Sequence, residues 1–187
     1  MASDSAESTE THWRPGKMES LRVAVNEVFS ALSKRDTAVV QNYIHPVYGF
    51  WMIVRPGAID YLVHEKTLSR GWTKSGRIGR LDSVLPLQLG KAPVFHCETN
   101  TWNRAGFFVD TLRNDNRLLQ VVQFLNEQHL QKFTPVEISS IYTLLATDVK
   151  VVYTKDREDL GVTFQLSWIG GRWWLSVLNL VESDCSA

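Results

Sequence analysis

Residues 161–181, GVTFQLSWIGGRWWLSVLNLV, restrict the fold more than any other stretch of this 187-residue chain. Gly170 and Gly171 supply the positive φ angles that a tight hairpin turn demands, and both flanks are rich in branched and aromatic residues, so the stretch predicts two antiparallel strands. A two-residue loop sets Trp168 opposite Trp173, Leu166 opposite Leu175 and Phe164 opposite Val177. One face is then apolar, with both indoles in the core. The other carries Thr163, Gln165, Ser167, Arg172 and Ser176, interrupted by Ile169, Trp174 and Leu178. Trp168→Ala is accordingly expected to cost about 3–5 kcal/mol.

Around that hairpin the apolar periodicity changes. Leu21, Val25, Val28, Phe29 and Leu32 recur at three and four residues, which predicts a helix over about 17–33. Asp36 is placed to cap a second, short helix that His45-Pro46 stops. Tyr48–Val54 predicts a buried strand ended by Pro56-Gly57, whereas 59–68 reads equally as strand or as one or two helical turns. Farther on, Pro93–Glu98 and Phe107–Thr111 predict short strands. Asn114 or Asp115 starts a helix to about Lys132 with Leu118, Val122 and Leu125 on one side. Thr134-Pro135-Val136-Glu137 has the form of a capping box and favours a short helix over the competing strand alternation. Val149–Thr154 and the hairpin complete an antiparallel meander. The expected class is α+β: N-terminal helices on a curved, mainly antiparallel sheet, with an extra middle helix. A polar lead-in, 1–16, is expected to be disordered, followed by one domain over 17–187.

Twenty basic and twenty acidic residues cancel, which removes the electrostatic motive for a nucleic-acid partner. No apolar run is long enough for a membrane span, and the first residues lack the apolar centre of a signal peptide. As written the chain is expected in the cytoplasm; had a signal been removed, it would be exported. Cys97 and Cys185 read either as two unrelated thiols or as a disulfide joining the C-terminal tail to the middle of the chain. Neither stands at zinc-ligand spacing, so no metal is expected. The basic stretch 65–81 reads as an anion-binding loop, with Trp72 to stack on a ligand, or as a solvated loop. It departs from the phosphate-loop pattern, since Arg77-Ile78 stand where Lys and Ser or Thr belong, and no cofactor is implied.

Several short segments carry a resemblance. Ala31–Pro46, ALSKRDTAVVQNYIHP, following a long amphipathic helix, resembles the opening of the nuclear transport factor 2-like, cystatin-like α+β superfamily, and FQLSWIGGRWWLSVL resembles its last two long strands. The segments Ile44–Gly49, Cys97–Gly106 and Asp184–Ala187 are also similar to those of bacterial domains that are often exported. The resemblance implies a cone-shaped sheet over helices with an apolar cavity. It covers about half the chain, and members of the superfamily include both enzymes that use Asp, His or Tyr as acid or base and proteins that only bind.

Three functions follow as expectations. The first is a domain holding a small apolar or amphipathic molecule among Trp51, Phe107, Trp168 and Trp173, with Asp110 directed inward or outward. The second is a lyase or isomerase using Asp60 and His64, four residues apart and thus on one face whether 59–68 is helix or strand. His45, Tyr48 and Tyr61 are further titratable candidates, His45 being better suited to closing a helix end. The third is a scaffold or homodimer formed through Ile169, Trp174 and Leu178.

Overall fold

The computed structural model describes residues 15–68, 85–112 and 116–185; the lead-in through residue 14, Trp13, Trp72 and most of the basic stretch fall outside them. Helix α1 (Pro15–Lys34) buries Leu21, Val25, Val28, Phe29 and Leu32 along one stripe. It ends where Arg35 takes a left-handed φ of 57° and the Asp36 amide bonds back to the Ala31 carbonyl, a terminus usually given to glycine. Asp36 then accepts from the Val39 amide and caps α2 (Thr37–Asn42), so two helices meet at a sharp corner.

The seven-stranded sheet has the order β2-β1-β9-β8-β7-β6-β3 and curves without closing into a barrel. Its strands are β1 (Phe50–Val54), β2 (Tyr61–Glu65), β3 (Leu87–Leu89), β6 (Gly106–Asp110), β7 (Asp148–Thr154), β8 (Val162–Ile169) and β9 (Arg172–Asn179). The stretch 59–68 therefore contributes a strand. Pairing is antiparallel except between β1 and β9 and between β3 and β6. A small hairpin of β4 (Phe95–His96) and β5 (Thr101–Trp102) stands apart, its Trp102 buried against Val152 and Ala92.

Trp168 pairs with Trp173 and Leu166 with Leu175, as expected from the Gly170-Gly171 turn. Between Gln165 and Leu166 the register shifts, so Gln165 faces Val177 and Phe164 faces Leu178. The extra residue is Ser176. This bulge turns Leu178 onto the face with Phe164 and leaves Val177 on the other, correcting the pairing of Phe164 with Val177.

Both faces of the sheet are covered. Against one, α1 and α2 pack over Phe50, Met52, Phe107, Val151, Phe164, Leu166, Trp173 and Leu175. Against the other, α3 (Arg117–Glu127) and α4 (Pro135–Leu145) pack over Trp51, Ile53, Leu62, Val177 and Val181. Thr163, Gln165, Ser167 and Ser176, which alternation had assigned to a partly wet face, are all buried. Helix α3 is shorter than expected. Asn116 is its N-cap residue, without a side-chain cap bond, while Asn114 and Asp115 lie outside the described residues. At α4 the capping box is complete: Thr134 Oγ1 accepts from the Glu137 amide and the Glu137 carboxylate accepts from the Thr134 amide.

The two cysteines are bonded. Cys97, beside β4, and Cys185, six residues past β9, form a disulfide with Cα atoms 5.5 Å apart, so the reading as unrelated thiols is replaced by the bridge.

Candidate functional site

The sheet separates the residues singled out from the sequence. Phe107, Trp168 and Trp173 lie on the face toward α1. Phe107 is fully buried against Phe29 and Tyr153, and the Trp173 indole donates to Ser20 Oγ. Trp168 is half-buried, its ring 5.1 Å from that of Trp173, with the Lys17 ammonium over both. Trp51 and Asp110 belong to the opposite face, so these five residues do not surround one cavity.

On that opposite face, paired residues form one row across six strands: Asp110, Lys150, Gln165, Val177, Trp51 and His64. Asp110 accepts from the amides of Ala92 and Leu112, which makes it a loop anchor. Lys150 meets Glu182 at 2.6 Å. At the far end the His64 ring stacks on Trp51 with centroids 4.3 Å apart and shares a hydrogen bond with the Tyr48 carbonyl. Gly49, at φ 64°, permits this approach, because an added Cβ would strike the Glu65 carbonyl oxygen and come within 2.8 Å of His64 Nε2. Beside it His45 Nδ1 accepts from the Val47 and Tyr48 amides, and burial lowers the His45 pKa below its ordinary value. His45 thus closes the turn after α2.

Asp60 precedes β2, on the face that carries Leu62 and His64. Four residues of strand rise separate Asp60 from His64 by about 13 Å, with the Leu62 backbone, bonded to the Gln131 amide, between them. The two candidates have different partners. Asp60 is only 8% exposed, one oxygen accepting from Arg55 Nε at 2.6 Å and the other from Arg117. Arg55 also donates to the Asp184 carbonyl at 2.7 Å, and its pKa is raised, first by the hydrogen bond to Asp60. Buried carboxylates need such partners, since an unpaired charge in that position would be costly.

Beside this cluster lies an open groove of about 350 Å³, lined by Arg55, Ala58, Ile59, Asp60, Arg117, Gln120, Val121 and Phe124. Arg117 is 41% exposed at the start of α3, and Phe124, two turns on, is 43% exposed. A guanidinium therefore heads a strip of apolar side chains. Arg55 had a local signal, since it and Asp60 flank the β1–β2 turn with opposite charge just beyond the Val54–Tyr61 pair. Arg117 had none, being 57 residues distant from Asp60 in sequence. Among the described residues no three His, Cys, Asp or Glu side chains converge as a metal ion would require.

Together the two covered faces and this groove define an α+β domain with an amphipathic surface site. Comparison with protein-family models, with curated proteins and with solved structures found no match.

Proposed function

We propose that the domain binds a small amphipathic anion, a carboxylate or sulfonate with an apolar body, in the groove beside Asp60. The observation that carries the proposal is the buried Asp60 gripping two arginines at one end of an open groove whose floor is Ile59, Val121 and Phe124. The Arg117 guanidinium is 41% exposed at the groove, and the fork of N–H donors that a guanidinium presents matches a carboxylate or sulfonate. Asp60 holds the guanidinium in place and lowers the entropy lost when an anion docks. The apolar strip on α3 gains by covering Phe124. Phe107, Trp168 and Trp173 support the fold from the opposite face and take no part.

The proposal is tested by calorimetric titration with decanoate, decanol and an anilinonaphthalene sulfonate. The two anions are expected to bind and decanol to bind at least about tenfold more weakly, as the loss of a charge-assisted hydrogen bond implies. Arg117→Ala should weaken the anions by about tenfold, and Phe124→Ser should weaken all three compounds. Equal affinity for decanoate and decanol, or indifference to Arg117→Ala, would exclude the groove as an anion site.

A further inference from the structure

We infer that the Cys97–Cys185 disulfide is a redox lock on the Arg55–Asp60–Arg117 groove, tightening anion binding when it is reduced; the inference rests on the ligand reading above for its effect on affinity. After β9 the chain runs back over the sheet as a strap whose attachments differ along its length. Its proximal part holds without the bridge: Leu180 donates to the Ile53 carbonyl, Val181 is buried under α3 and α4, and Glu182 takes Lys150 and Asn179. The distal part is held by polar contacts and the bridge. Ser183 donates its hydroxyl to the Leu160 carbonyl, and the Asp184 amide turns back to the Val181 carbonyl. Asp184 meets Arg55 through its carbonyl at 2.7 Å and its carboxylate at 3.8 Å, and Cys185 is bonded to Cys97.

The bridge therefore anchors the residue next to the one that touches the site. With it closed, Asp184 is held against Arg55 and its carboxylate adds to that of Asp60 beside the arginines. With it open, residues 183–185 lose their covalent tie and rest on non-covalent contacts alone. Asp184 then spends less time at Arg55, and the cluster at the head of the groove becomes more positive than in the bridged form. Cys97 is exposed on the turn between β4 and β5, so its sulfur is accessible to attack. A dithiol reductant suffices. Its first thiolate attacks Sγ of Cys97, breaking the S–S bond and releasing Cys185 as a thiolate that takes up a proton. Its second thiol then displaces Cys97 from the mixed disulfide, and the reductant leaves oxidised to its own disulfide.

The test uses the full chain oxidised, the chain reduced with dithiothreitol and alkylated, and Asp184→Asn with the bridge intact, with the naphthalene sulfonate as probe. Reduction is expected to tighten binding about fivefold, the scale of one partly buried ion pair, and Asp184→Asn to reproduce most of that gain without reduction. In parallel, hydrogen exchange should accelerate on reduction at 183–185 while 180–182 keeps its protection. Unchanged exchange at 183–185 overturns the lock, as does a probe affinity indifferent to both reduction and Asp184→Asn. If the probe binds neither form, the groove reading fails and the exchange pattern alone decides whether the bridge holds the strap.

Discussion

Trp168 and Trp173 stand opposite one another, yet the two indoles do different work. Trp173 is 2% exposed, donates to Ser20 and lies under α1, whereas Trp168 packs against it from the half-open edge beside Lys17. Truncation costs scale with the buried apolar area removed and the cavity left behind, so Trp173→Ala should destabilise by about 3–5 kcal/mol and Trp168→Ala by about 1–2 kcal/mol. Urea midpoints at constant slope measure both, and equal losses would contradict the difference in depth. The pairing was legible in the sequence because a glycine turn fixes which residues meet. Depth was not, because it depends on where the first turns of α1 cross the sheet, and periodicity within the hairpin carries no record of that. The same limit applies to Asp60. Its buried position reflects Arg117, which only the tertiary fold delivers.

At the scale of elements, local signals succeeded where a side chain caps its own backbone. The strand alternation from Val136 to Leu144 competed with the helical reading of the same residues, and the helix forms because Thr134 and Glu137 satisfy its first amides while Ile141 and Leu144 become buried. Thr134→Ala should therefore cost about 1 kcal/mol. Glu137 adds a pH dependence of known sign: its pKa is lowered, first by the hydrogen bond from the Thr134 amide. A depressed carboxyl favours the folded state above its unfolded value near 4.5, and that contribution disappears as pH falls through the folded value. Glu137→Gln should remove this acid-side loss in denaturation curves taken from pH 6 downward, and a variant that keeps the full slope would show the box to be idle. Strands were less legible. β3 has three residues and pairs in parallel with β6, too short for alternation to register. β2 lies at a sheet edge where two glutamine amides stand in for a neighbouring strand, Gln131 at Leu62 and Gln41 at Lys66 and Leu68.

Across the whole molecule, the sheet is shared by residues far apart in sequence, β1 pairing with β9, and the disulfide adds a covalent tie to these distant contacts. Cys97 and Cys185 are 88 positions apart, spanning β5 to β9 with α3 and α4 between them. Closing a loop of that length removes conformational freedom from the unfolded chain worth about 4–5 kcal/mol by the polymer estimate. Domains of this size are typically stable by about 5–15 kcal/mol, so the reduced chain should remain folded with a much smaller margin. The second layer of packing beneath α3 and α4 supplies that margin, since Trp51, Ile53, Leu62 and Val177 are buried without help from the bridge. In calorimetry, reduction and alkylation should lower the melting temperature by about 10–15 °C while leaving the transition cooperative. The double variant Cys97→Ser, Cys185→Ser should melt with the reduced protein. A fall of less than about 3 °C would mean that the unfolded chain already keeps its tail near residue 97, and the bridge would then act on the strap alone.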